Sequence, residues 1–201
     1  GLSQLARVEY SLEGGMIYSD FIDNSAGVDC SDHEVNIKIL LNKAVADGDL
    51  TEKQRNQLLV EMTDEVAEHV LYNNYQQTQA ISLAAEQAAR HVELHSRYIE
   101  DLEKSGKIER SLEFLPDEKV LMERKLAGKG LVRPGIGILL SHSKILVKEA
   151  ILASDLPEDP YLSRILVEAF PKPLQERFKE AMASHILRRE IIATQLSNTM
   201  F

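Results

Sequence analysis

From residue 31 to the C-terminus, aliphatic side chains recur every three or four positions, and this period constrains the fold more than any other feature. Leu58, Met62, Val66 and Val70 form one such face. Ile81, Ala84, Ala85, Ala88, Val92, His95, Ile99 and Leu102 form a second, and Ile138, Leu139, Ile145, Leu146, Ile151 and Leu152 a third. The last runs through Phe178, Met182, Ile186, Leu187, Ile191 and Ile192. Strands alternate with period two and do not produce this pattern. Helix punctuation agrees. Ser31 with Glu34 and Thr51 with Gln54 both read as capping boxes. The first predicts a helix with Val35, Ile39, Leu40 and Val45 on its apolar face, ended at Asp47-Gly48-Asp49. Asn73-Asn74 is a weak interruption, and Ser105-Gly106 closes the helix that reaches Lys104. Pro116-Asp117 opens the next, which Gly128 ends. Pro134 takes the favoured first-turn position of another, where Gly135 and Gly137 either weaken the turn or permit close packing. Leu156-Pro157-Glu158-Asp159-Pro160 is a turn, and helices from about Tyr161 and Pro173 finish the chain.

Residues 2–12 also read as helical, with Leu2, Leu5, Val8 and Leu12 at helix spacing and Gly14-Gly15 as the stop. Met16-Ile17-Tyr18 and Phe21-Ile22 predict a short strand. Residues 24–31 then predict a loop of small and polar residues. The fold expected is mainly α, a multi-helix array with one short β-strand and a loop near the N-terminus. With no Trp, five Phe and six Tyr in 201 residues, the core must be aliphatic, which suits packed helices. The first residue is Gly, so the chain is expected to be cut from something longer.

Charge narrows the partners. The net charge of −9 repels phosphate backbones and anionic lipid, so neither nucleic acid nor membrane is expected. No apolar run approaches the roughly 20 residues of a membrane span. The lone Cys30 excludes an internal disulfide and points to a reducing, cytoplasmic compartment.

Several residues invite chemistry, each beside a plainer role. His91 and His95 have a zinc-competent spacing but no third ligand at a typical distance, so ordinary helix packing also accounts for them. Cys30 lies near an expected helix start, where thiolates are stabilised, yet no activating base is evident. Asp29, Asp32 and Glu34 fit either acid–base work or a helix dipole. Arg188 and Arg189 fit either an anion clamp or a solvated helix edge. In residues 24–31, small side chains let a ligand approach the backbone, and the helix that follows offers free N–H groups. A tight turn with Ser31 as a cap fits the same residues.

The run Asp23-Asn24-Ser25-Ala26-Gly27-Val28-Asp29-Cys30-Ser31-Asp32-His33-Glu34-Val35-Asn36-Ile37-Lys38 resembles the signature segment of the large, multidomain bacterial NAD-dependent glutamate dehydrogenases. Ala6-Arg7-Val8-Glu9-Tyr10, Leu131-Val132-Arg133-Pro134, Leu156 to Leu162 and His185 to Thr194 are similar to the same family, in the right order. Smaller glutamate dehydrogenases carry Asn-Ala-Gly-Gly-Val-x-x-Ser at the matching place, so Ala26 stands where they have a glycine. The resemblance implies that Asn24 and Gly27 contact NAD and that Ser31 contacts the side-chain carboxylate of L-glutamate. It implies residues 1–31 as the trailing edge of a Rossmann-type NAD domain and residues 32–201 as a C-terminal helical domain. The dinucleotide fingerprint and the family's catalytic lysines and aspartate are not in this chain, so no turnover is expected from it alone. The implied partners are L-glutamate and 2-oxoglutarate, the rest of the same polypeptide, and further copies of the full-length enzyme. The alternative is a helical oligomerisation or regulatory module with no direct catalytic role.

Overall fold

A computed structural model describes residues 1–200, and their regular structure is helical. Two compact units form: residues 1–25 with 75–144, and residues 26–74 with those from 145 onward.

The first unit opens with α1 (Gln4–Leu12), whose N-cap Ser3 accepts from the Ala6 N–H. Gly14, at φ 92°, turns the chain out of this helix. A single turn, α2 (Asp20–Asp23), follows. The expected strand at Met16-Ile17-Tyr18 and Phe21-Ile22 is absent among the described residues. Residues 15–19 have no regular structure, and Phe21 and Ile22 belong to α2. A strand exists only through hydrogen bonds to a neighbouring strand, and the described residues offer none to pair with. The Tyr18 carbonyl instead accepts from Arg7 Nη1 at 2.8 Å.

The helix α3 (Ser25–Ala46) carries the chain into the second unit, followed by α4 (Glu52–Glu61) and α5 (Thr63–Gln87). The Thr51–Gln54 capping box forms in full. Asn73-Asn74 does not interrupt α5, and the break comes later, at residues 88–91. The first unit is completed by α6 (Val92–Lys104), α7 (Glu118–Leu126) and the start of α8 (Arg133–Leu152). α7 opens at Pro116-Asp117 as expected, where the Asp117 side chain accepts from the Val120 N–H, and Gly106 and Gly128 close α6 and α7 with positive φ. Its core is aliphatic: Ile81, Val92, Ile99, Leu102, Leu121 and Ile138 are almost fully buried. Gly137 permits close packing. A methyl group there would sit 3.0 Å from Ser19 Oγ and 3.3 Å from Ile22 Cγ1.

In the second unit, two short 3-10 turns (Leu156–Glu158 and Pro160–Leu162) lead into α9 (Ser163–Glu168), α10 (Lys172–Gln175), α11 (Lys179–Ala183) and α12 (Arg188–Thr199). The core joins Ile37, Leu40, Leu41 and Ala44 of α3 to Phe170, Leu174, Phe178, Met182, Ile191 and Ile192. Val35 was expected on the apolar face of α3, yet it is 49% exposed, and the buried face is offset to His33, Ile37, Leu40, Leu41 and Ala44.

Candidate functional site

The segment expected to be a loop is helical. α3 begins at Ser25, six residues before Ser31, so Ser31 is not a helix cap and does not form a capping box with Glu34. Side-chain partners hold this early start. The Asp29 carboxylate accepts from Asn73 Nδ2 at 2.9 Å and lies 3.8 Å from His33 Nε2, one turn on. Glu34 pairs with Lys38, again one turn on. The three acids at 29, 32 and 34 therefore lie within a helix, with no acidic residue in its first turn for the dipole to favour.

Burial divides α3 lengthwise. Ile37, Leu40, Leu41 and Ala44 face the core, while Gly27, Val28, Ser31 and Val35 line an exposed stripe at three- and four-residue spacing. Val28 is 66% exposed. A serine inside a helix often returns its hydroxyl to the carbonyl four residues back. Ser31 makes no such bond and has no hydrogen-bond partner among the described residues, so its hydroxyl is available to donate outward.

Asn24 belongs to the first unit, three residues before Gly27, at the C-cap of α2. Its N–H donates to the Asp20 carbonyl at 3.0 Å, while its side-chain amide is exposed and has no partner among the described residues. The next residue is anchored: Ser25 Oγ donates to the Ile22 carbonyl at 2.8 Å and lies 3.1 Å from Gln77 Nε2. On the other side, Arg7 is 7% exposed and grips both ends of α2, reaching Asp20 Oδ1 at 3.1 Å and Asp23 Oδ2 at 2.5 Å. The sequence offered no local signal for Arg7, because its partners in and before α2 lie 11 to 16 residues away.

The other candidates take structural places. Cys30 is exposed. His91 is the residue before α6, and its ring meets that of His95 edge-on at 6.3 Å. Arg188 and Arg189 do hold a carboxylate, that of Glu158 within the same unit, and Arg189 Nη2 also donates to the carbonyls of Leu152 and Ser154. These are carbonyls at the C-terminal end of α8, which the guanidinium satisfies.

On the buried side of α3 the second unit has a polar pocket of about 110 Å³, lined by Asp29, Asp32, His33, Lys148 and Glu190 over Phe170. Neither Gly27 nor Ser31 lines it. Nearby, His185 joins α3 to the chain before α12. The Leu187 N–H donates to its Nδ1 at 3.1 Å, so Nε2 carries the proton and donates to the Asn36 carbonyl at 3.1 Å.

Burial holds His33 and His185, and His95 in the first unit, below the ordinary imidazole range. Asp29 and Asp32 oppose the shift of His33, and the bond to Asn36 opposes that of His185. The neutral rings are thus favoured in the folded chain, while unfolded histidines take up protons below about pH 6.5. Their contribution to stability is complete above that pH and is lost as pH falls toward the folded-state values. The melting temperature is expected to drop between pH 7.5 and pH 5. A flat or rising profile in that window overturns the account.

A family model described as bacterial NAD-glutamate dehydrogenase, catalytic domain, matches residues 1–84, and one described as glutamate dehydrogenase, C-terminal, matches residues 128–201. The chain is 55% identical over 200 residues to the NAD-specific glutamate dehydrogenase of Pseudomonas aeruginosa, 48% to that of Halomonas elongata and 44% to that of Mycobacterium tuberculosis. Each alignment takes in 100% of this chain and 12% of the relative's length.

Proposed function

Because the chain belongs to the bacterial NAD-glutamate dehydrogenases, as a segment spanning 12% of the length of its relatives, we propose that it supplies one wall of a site for NAD-linked oxidative deamination of L-glutamate to 2-oxoglutarate and ammonium. The observation that carries this reading is the exposed stripe of α3, where Ser31 presents an unbonded hydroxyl among small and apolar side chains. In this reading the Ser31 hydroxyl donates to the side-chain carboxylate of glutamate. The Asn24 amide, donor and acceptor at once, lies by the nicotinamide end of the cofactor, and Gly27 leaves room for it. The donor set fits: a free amide suits a carboxamide, and a free hydroxyl suits a carboxylate. NAD, when bound, supplies the hydride acceptor. What these residues do is hold the two reactants in orientation and exclude water from one side.

The same reading makes residues 1–31 the trailing edge of the NAD domain and residues 32–201 a C-terminal helical domain. It places the parent enzyme in the cytoplasm as an oligomer, with this chain inactive on its own. No helix among the described residues is long and apolar enough to cross a membrane. A second job, as an interaction module, is favoured by the apolar side chains the first unit leaves exposed: Leu2, Tyr10, Met16 and Phe21 are 45–79% exposed.

The full-length enzyme carrying Ser31→Ala tests the reading. A glutamate KM about tenfold higher, roughly 1.4 kcal/mol of lost binding, is expected. Alanine is the better helix former, so the melting temperature should hold or rise. An unchanged glutamate KM removes Ser31 from the substrate site.

A further inference from the structure

We infer that Arg7 is a positioning residue for Asn24, setting the shape of residues 18–25 so that the Asn24 amide meets the cofactor; this rests on the cofactor role proposed above. An arginine side chain that is 9% exposed must spend its donors inside the protein. Arg7 spends them on three separate stretches of chain. Nε donates to the Leu2 carbonyl at 3.3 Å, and Nη1 to the Tyr18 carbonyl at 2.8 Å and to Asp23 Oδ2 at 2.5 Å. Nη2 donates to Asp20 Oδ1 at 3.1 Å. Asp20 and Asp23 are the first and last residues of α2, a helix of four residues. One isolated turn is not stable in water, so its shape depends on what grips it.

Asn24 is the next residue, and its N–H bonds to the carbonyl of Asp20, whose carboxylate Arg7 holds. Ser25, beyond it, is fastened to Ile22 and Gln77. Asn24 is thus suspended between two anchored neighbours, with its own amide exposed and unbonded among the described residues. The Asp20 and Asp23 side chains are 72% and 45% exposed, so these ion pairs are screened and weak as stabilisers. What the planar guanidinium provides is geometry, and a lysine, with one compact charge, cannot bridge the same three stretches.

The test is the equilibrium Kd for NADH, read from its fluorescence and expected to move in step with the NAD KM, beside steady-state kinetics of the full-length enzyme carrying Arg7→Lys, Asp23→Asn, Asn24→Ala and the double variant Arg7→Lys/Asn24→Ala. Arg7→Lys is expected to raise the NAD KM by about tenfold, with kcat and the glutamate KM within about twofold. Asp23→Asn keeps Arg7 and should raise the NAD KM by a smaller factor, about threefold. Adding Arg7→Lys to Asn24→Ala should raise it no further, because the two changes act through one contact. If Asn24→Ala raises the NAD KM while Arg7→Lys and Asp23→Asn leave it alone, the positioning role is overturned and the cofactor role of Asn24 stands. A lower melting temperature or lower kcat with an unchanged NAD KM likewise marks Arg7 as structural only. If Asn24→Ala itself leaves the NAD KM unchanged, the cofactor reading fails and this inference falls with it. If Arg7→Lys does not fold, Asp23→Asn decides.

Discussion

Phe170→Ala is expected to destabilise the second unit by about 3–5 kcal/mol, the largest loss of any substitution considered for this chain. Phe170 is the largest fully buried side chain among the described residues, at 1% exposure, and it lies in the cluster that joins α3 to α12. Truncation removes the transfer energy of the ring and leaves a cavity in a cluster where Leu40, Leu41 and Ile192 are no more than 1% exposed and have little freedom to fill it. The ring also packs at 5.7 Å and 62° against His185, the residue bonded to the Asn36 carbonyl of α3. Losing the ring therefore loosens the helix that presents Ser31. For a unit of about 100 residues this corresponds to a fall in melting temperature of more than about 10 °C. Phe170→Leu, which keeps most of the volume, should fall much less. A Phe170→Ala chain that melts within a few degrees of the parent would falsify this placement of the ring.

Gly130→Ala is the second large effect, and it acts on the first unit. A methyl group at residue 130 would lie 2.2 Å from the Ala88 carbonyl carbon and 2.5 Å from the Ala89 nitrogen. These are backbone atoms, at the break between α5 and α6, so no side-chain rotation relieves the clash. The Gly130 carbonyl is also held by Arg124 Nε at 2.8 Å, which resists retreat. A cost of about 3 kcal/mol is expected, at the upper end for overpacking. Gly106→Ala provides the comparison. Gly106 has open space around it and a φ of 68°, so alanine there meets only conformational strain, about 1–2 kcal/mol. Chemical denaturation of both variants orders them, and a Gly130→Ala chain no less stable than Gly106→Ala contradicts the close approach.

Local chemistry was legible where both partners lie within one helical turn. Thr51 and Gln54 are three residues apart, and their capping box forms as the spacing predicts; the helix start at Pro116-Asp117 was legible in the same way. Gly14, Gly48, Gly106 and Gly128 stop helices because the φ they adopt is cheap only for glycine. The small residues at 24–31 misled, because a loop and a helix N-terminal turn accept the same composition. Asp29 decided between them by finding Asn73, 44 residues away. The expected strand failed for a related reason: extended residues without a neighbouring ladder remain irregular.

The residue pattern alone determined that this chain is helical, where most of its helices stop, and, through resemblance, which enzyme family to expect. Those properties depend on contacts a few residues long, or on motifs read in order. Only the tertiary structure decided which face of α3 is buried, that Ser31 stands mid-helix with a free hydroxyl, and that Arg7 holds the turn beside Asn24. Each of these depends on groups brought together from distant positions, and spacing along the chain carries no record of which distant partner will satisfy a buried charge or cover an apolar face.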